Sequence, residues 1–301
     1  MRIKLISISA NQYICHCKMS NNSKSIESGP LEGEVWTITW GECTESHVGM
    51  KISGDMADHG FALDDLKNFA KFFEERDCKT QLLSLNDLLP GEAKNLPGND
   101  DAAVLVIRKG IGALCNYDKL SAELESTKSL VNKKALMRGV VKNKNARWGY
   151  CVGETSQEPN YEDGKGRTIA FSEHPRLAKL RKKIKRLTGL SLLAEVNEYY
   201  NPSKCYIGFH GDAERRLVVG CRLGGNFPLY YQWFHKSSPV GSRLNIDLNA
   251  GDMYIMSEKA VGTDWRRKKI LTLRHAAGTE AIKIFNKSVA VKQKKNETND
   301  E

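Results

Sequence analysis

Beyond Gly189 the chain breaks into short apolar runs, each closed by Gly, Pro, Asn or charged residues. Such runs are too short for helices and alternate too often with turn residues to be anything but strands. They predict strands over Leu193 to Tyr200, Cys205 to His210, Leu217 to Leu223, Leu229 to Phe234, Leu244 to Leu248, Asp252 to Met256, Ile270 to His275 and Ile282 to Phe285. A strand this short cannot bury an apolar face alone, and eight in succession suggest an antiparallel jelly roll.

Upstream the pattern is mixed. Glu34 to Trp40 alternates polar and apolar residues as a strand does, Ala62 to Glu75 carries Leu63, Leu66, Phe69, Ala70 and Phe73 at helical spacing, and Ala102 to Ile107 reads as a buried strand. Together these predict a small α/β unit over residues 1–115, with no assigned role. Within it Gly41 to Met50 holds Glu42, Cys43, Glu45 and His47, and residue types alone make it a polar loop following a strand.

Residues 116–144 are read as a connector, helical over 117–137, with a basic glycine-containing turn at Arg138 to Asn145. Arg167 to Phe171 is a short strand. A helix begins at Pro175, with Leu177, Leu180, Ile184 and Leu187 on its apolar face and Gly189 at its end. Six of the eight residues from Lys179 to Arg186 are basic and cover the opposite face, either as a soluble surface or as a contact for phosphates. Residues 287–301 have too little apolar content to pack and are read as a disordered tail.

The formal net charge of the 301 residues is +10, which favours a polyanionic partner, nucleic acid first. No apolar run approaches the roughly 18 residues of a membrane span, and Met1 to Ala10 lacks the pattern of a secretory signal. The eight cysteines are scattered, as expected of reduced thiols. Cys15-His16-Cys17 lacks the second ligand pair that structural zinc requires. An intracellular protein, cytoplasmic or nuclear, is expected, with a virus-encoded origin and the oligomeric state left open.

The chemistry concentrates at Asn197 to Asp212. On a strand, residues two apart face the same way, so His210 and Asp212 can present an imidazole and a carboxylate to one point, two of the three ligands of a 2-His-1-carboxylate iron site. Around them stand Arg147 to Tyr150, Asn197-x-Tyr199, Glu214-Arg215, Val218 to Gly224, Gly251 to Met256 and Leu271 to Arg274, in that order. From about Asn145 to Phe285 this set resembles the AlkB-like Fe(II)/2-oxoglutarate-dependent dioxygenases. The resemblance implies a double-stranded β-helix (jelly-roll) core with flanking helices over residues 145–286, in an α+β chain preceded by the small N-terminal region.

The resemblance further implies that His210 and Asp212 bind Fe(II) and that Asn197 and Tyr199 contact 2-oxoglutarate. The family's Trp-x-His before the final strand has no histidine here, where Thr263-Asp-Trp-Arg-Arg267 stands instead. Two registers follow. In one, Arg274 on the final strand meets a 2-oxoglutarate carboxylate, the third histidine is missing, and the protein binds without catalysing. In the other, His275 is the third ligand, Ile282 to Phe285 is the final strand, and Lys283 or Lys287 meets the carboxylate. The second is preferred, because a His-x-Asp pair makes sense as an iron site only with a third ligand. His235 is read as a strand-end histidine.

The implied reaction consumes O2 and 2-oxoglutarate and hydroxylates a C–H bond, which on an N-methyl group releases formaldehyde. A base would have to leave the stack to reach the metal. Trp148, Tyr150, Tyr231 and Trp233 are candidates to sandwich it, though core packing is the plainer role for each. Phosphate contacts are sought at Arg138 to Lys144, Lys179 to Arg186 and Arg266 to Lys269. The same chemistry on a protein side chain or small molecule is the alternative, as is a catalytically inactive nucleic-acid-binding relative.

Overall fold

The computed structural model describes residues 33–45 and 47–297. Cys15 to Cys17, and the ends of the chain at 1–32 and 298–301, lie outside them. The N-terminal part supplies β1 (Val35–Gly41), α1 (Leu63–Glu74), β2 (Thr80–Ser84), β3 (Ala103–Ile107) and the short α2 (Gly110–Leu114). Next come α3 (Tyr117–Ser126), β4 (Lys134–Met137), β5 (Val140–Asn143), β6 (Trp148–Gly153), β7 (Thr168–Ala170) and α4 (Pro175–Thr188). The remainder is β8 (Leu193–Tyr199), β9 (Ile207–His210), β10 (Val218–Gly224), β11 (Leu229–His235), β12 (Ser238–Ile246), β13 (Met253–Met256), α5 (Glu258–Val261), β14 (Thr272–Ala277) and α6 (Thr279–Glu297).

The architecture is mixed α/β, with two large sheets and few helices. One sheet has the order β2-β3-β13-β10-β1-β8-β6-β7 and is antiparallel except for β6 with β7; the other has the order β12-β11-β14-β9. Strand alternation explains the layering. On β1, Trp36, Ile38 and Trp40 join the apolar residues of α1, α3 and α4 on the outer face of the large sheet, while Thr37 and Thr39 turn inward. The inner face meets the small sheet through Val104, Val106, Val218, Tyr254 and Met256 packed on Leu229, Tyr231, Trp233 and Leu273. On the far side of the small sheet α6 docks, with Ala281 and Ile282 beside Tyr230, Ala276 and Phe209, and Phe285 against Phe209 and Phe234.

Several expectations are corrected here. Among the described residues, the α/β unit anticipated for residues 1–115 has no sheet of its own, since β1 sits between β8 and β10, and β3 pairs with β13. Backbone hydrogen-bonding groups of β8 and β10 would otherwise be left unpaired in a buried layer, so β1 is integral to the sheet. The connector 116–144 is helical only at α3 and ends in the β4–β5 hairpin, whose turn residues Arg138 and Gly139 both have positive φ. The strand expected at Ile282 to Phe285 is part of α6, which also continues through 287–297 where a disordered tail was anticipated. Ile282-Lys-Ile-Phe285 alternates like a strand over four residues, but Ala281, Ile282 and Phe285 also fit one helical face, and packing on the small sheet selects that alternative.

Candidate metal centre

His210, Asp212 and His275 converge at a half-open cavity of about 690 Å³ between the two sheets, and their ligand atoms all lie within 4.8 Å of one another. β14 pairs with β9 so that His275 stands opposite His210, bringing together residues 65 positions apart. The Nε2 atoms of His210 and His275 lie 3.5 and 3.6 Å from Asp212 Oδ1. Ligands about 2.1 Å from a metal and at right angles to one another sit about 3 Å apart, so a small inward movement would complete the chelate.

The surroundings suit neutral imidazoles and an ionised carboxylate. His210 Nδ1 bonds the Gly208 carbonyl at 2.8 Å, which leaves Nε2 as the free ring nitrogen. Burial, reinforced by His210, lowers the pKa of His275 and favours the neutral ring. Burial would push the Asp212 carboxyl up, but the Arg215 guanidinium first, and then the two facing imidazoles, outweigh it and hold it well below the usual carboxylate range. Gly211 has a steric reason for lacking a side chain, because a methyl group there would run into the Gly262 carbonyl oxygen. The Asp212 N–H donates to Val261 at the end of α5, at 3.0 Å, and fixes the carboxylate from behind.

A buried ionic network extends from this centre. Arg215 lies 3.6 Å from Asp212 Oδ2 through Nε and donates from Nη2 to Glu195 at 2.8 Å and to Glu214 at 2.7 Å. Glu195 accepts from the Asn197 amide at 3.3 Å, and Asn197 Oδ1 accepts from Arg147 Nε at 2.9 Å. Asn197 and Tyr199 both line the cavity, as their spacing on β8 requires.

Arg274 and Lys283 do not line it. The pleat that turns His275 inward turns Arg274 outward, where its guanidinium lies 4.2 Å from the Phe234 ring centroid. Lys283 sits on α6 and pairs with Glu280 at 3.2 Å. Besides Arg147, Arg215 and Arg266, the lining includes Arg222 on β10, which the sequence reading passed over; only the alternation of Val218, Gly220 and Arg222 could have singled it out.

The aromatic candidates also fall elsewhere. Tyr150, Tyr231 and Trp233 are fully buried core residues, Trp148 stacks on Tyr200 at 4.0 Å, and His235 lies outside the cavity lining. Tyr199, Tyr254 and Trp265 bring aromatic rings to the lining, while Phe209, beside the inward-facing His210, turns its ring to Phe285 of α6 at 4.9 Å. The loop read as merely polar contributes Glu45, His47, Val48 and Gly49 to the wall. Burial, with the negative Glu214, pushes the Glu45 carboxyl from 4.5 to about 7. Of the three basic stretches, only Arg266 to Lys269 reaches the lining, through Arg266; α4 lies on the outer face of the large sheet, across from the cavity.

The six cysteines among the described residues are free. Among these residues, no helix is long and apolar enough to cross a membrane. No family model matches the chain. The uncharacterized protein R156 of Acanthamoeba polyphaga mimivirus is similar to it, with 46% identity over 248 residues that span 82% of this chain and 96% of the viral protein.

Proposed function

The chain belongs to the same family as the mimivirus protein R156, and for it we propose an Fe(II)- and 2-oxoglutarate-dependent dioxygenase of the AlkB-like type, acting on a nucleic-acid base. The observation that carries this reading is the convergence of His210, Asp212 and His275 inside a cavity large enough for a cosubstrate and part of a substrate. A viral relative fits a virus-encoded origin.

The fold is read accordingly as a jelly roll. From β8 onward the chain passes back and forth between the two sheets, and the eighth strand needed to close the roll is β1, arriving from the N-terminal side. This also accounts for the lack of a strand after β14.

Iron with 2-oxoglutarate and O2 would supply the oxidising power, with 2-oxoglutarate giving succinate and CO2 while a C–H bond gains a hydroxyl. The residues of the chain provide the rest. His210, Asp212 and His275 hold the metal on one side and leave the cavity side open. Arg215 and the Gly208 carbonyl fix the two ligands of the His-x-Asp pair, while Asn197 and Tyr199 border the cosubstrate. Trp265 offers an apolar face for a flipped base, and Arg266 leads to the exposed Arg267, Lys268 and Lys269, suited to phosphates flanking it.

The carboxylates Glu45, Glu195 and Glu214 in the same wall favour, as a second reading, a cationic amine or protein side chain as the target. The deciding experiment is succinate release with Fe(II) and 2-oxoglutarate, assayed with alkylated single-stranded DNA and RNA and with lysine- and arginine-rich peptides. Succinate formed with no dependence on iron would sink both readings, and dependence on peptide alone would favour the second.

A further inference from the structure

Arg222 is a buried cation without a counter-charge. It is 1% exposed, its Nη1 donates to Thr37 Oγ1, and its Nε has no hydrogen-bond partner. Among the described residues it forms no ion pair. Asp252, whose charge it feels, is already engaged by Arg108 at 2.7 Å and by the N–H groups of Lys109 and Asn249 at 3.0 Å each. An isolated charge in such a position is strongly unfavourable, and an anion from the cavity would relieve it.

The register supplies the geometry. Thr37 on β1 stands opposite Asn197 on one side and Arg222 on the other, so the three form one row across the inner face of the sheet. Strands lie about 4.8 Å apart, which puts Arg222 roughly 10 Å from Asn197 along that row. Tyr199 and Tyr254 also line the cavity, and the Phe227 ring centroid lies 5.1 Å from the guanidinium. A planar fork of N–H donors at this depth matches a carboxylate held through two oxygens.

We propose that Arg222, with Thr37, forms the anion-binding end of the cavity and takes the terminal carboxylate of a small organic acid. On the reading above, on which only the identity of this acid rests, it is the distal carboxylate of 2-oxoglutarate. The role belongs to β10 and the N-terminal strand β1 rather than to Arg274 or Lys283. Thr37 thereby makes β1 part of the binding site as well as part of the sheet.

Calorimetric titration of the Mn(II)-loaded protein tests this without turnover, using 2-oxoglutarate and pyruvate, which share the 2-oxo acid group but differ in the distal carboxylate. The wild type is expected to prefer 2-oxoglutarate by about 50-fold, the worth of a charge-assisted hydrogen-bond pair. Arg222→Gln should lose that preference while binding Mn(II) as before, with Arg222→Lys intermediate and Thr37→Val weakened less. Wild-type affinity for 2-oxoglutarate in Arg222→Gln would overturn the assignment and leave the dioxygenase reading standing. Should Arg222→Gln fail to fold, equal affinity of the wild type for the two acids would overturn it. If the wild type ignores both acids but binds glutarate in an Arg222-dependent way, the anion site holds and the cosubstrate reading falls.

Discussion

His210 and His275 are cross-strand partners. β14 and β9 are in register at this pair, and both imidazoles direct Nε2 to the same oxygen of Asp212, at 3.5 and 3.6 Å. His275→Ala is therefore expected to weaken Mn(II) or Fe(II) binding by at least about 100-fold, the upper end of what loss of even a supporting partner does. His235→Ala, outside the cavity lining, should bind metal like the wild type. Equal affinities measured by metal titration would remove His275 from the ligand set.

Gly211 separates two ligands and touches the Gly262 backbone. Gly211→Ala should destabilise the fold by about 2–4 kcal/mol through overpacking, because the atom it meets is a main-chain oxygen that cannot swing aside. Chemical denaturation measures this directly. A variant of unchanged stability would show that α5 gives way.

Arg215 is the shared counter-charge of Asp212, Glu195 and Glu214 in a setting that is nearly closed to water. Removing it with Arg215→Met leaves those charges facing one another, with an expected loss of about 3–5 kcal/mol. The loss should be smaller in acid, where the carboxylates become protonated. Denaturation of both proteins at pH 4 and pH 7 checks the sign.

Glu198 offers a separate pH test. It is fully buried on β8, and neither carboxylate oxygen has a hydrogen-bond partner. Burial, then the neighbouring Glu34, pushes its pKa from 4.5 to about 7, against the opposing pull of Lys128 and Lys133. Because the folded-state value is raised, the stability associated with the protonated form is complete below 4.5 and disappears as pH rises through about 7. Glu198→Gln should match the wild type near pH 4 and exceed it at pH 8 by about 1 kcal/mol, or roughly 2–4 °C in melting temperature. A melting-temperature difference that does not vary with pH would contradict this assignment.

The basic surfaces divide between two sides of the molecule. Arg266→Glu, at the cavity, should weaken use of a short oligonucleotide substrate and flatten the salt dependence of its binding. Lys182→Glu with Lys185→Glu on α4 should leave that substrate unaffected, because α4 lies across the large sheet from the cavity. The opposite ranking in salt-dependent binding assays would relocate the substrate path.

The strands from β8 to β14 were legible because each carries its own alternation and its own turn residues. The spacing of His210 and Asp212, and of Asn197 and Tyr199, was legible for the same reason, since the two-residue period of a strand is a local property. His275 as a partner of His210 was one of two possible registers. The preference for it rested on the chemistry of an iron site and not on pairing, because strand pairing depends on contacts between residues 65 positions apart.

What the sequence determined by itself was most of the elements, with the β4–β5 hairpin and the start of α6 the exceptions, and the face each residue takes along its own strand. The tertiary structure alone decided which strands are neighbours. It placed β1 between β8 and β10, put Thr37 beside Arg222, and turned Arg274 away as the necessary counterpart of turning His275 inward. The loop of Glu45 and His47 became cavity wall for the same reason. Pairing and sheet packing are long-range choices fixed by the shared burial of two apolar faces, and no local pattern carries that information.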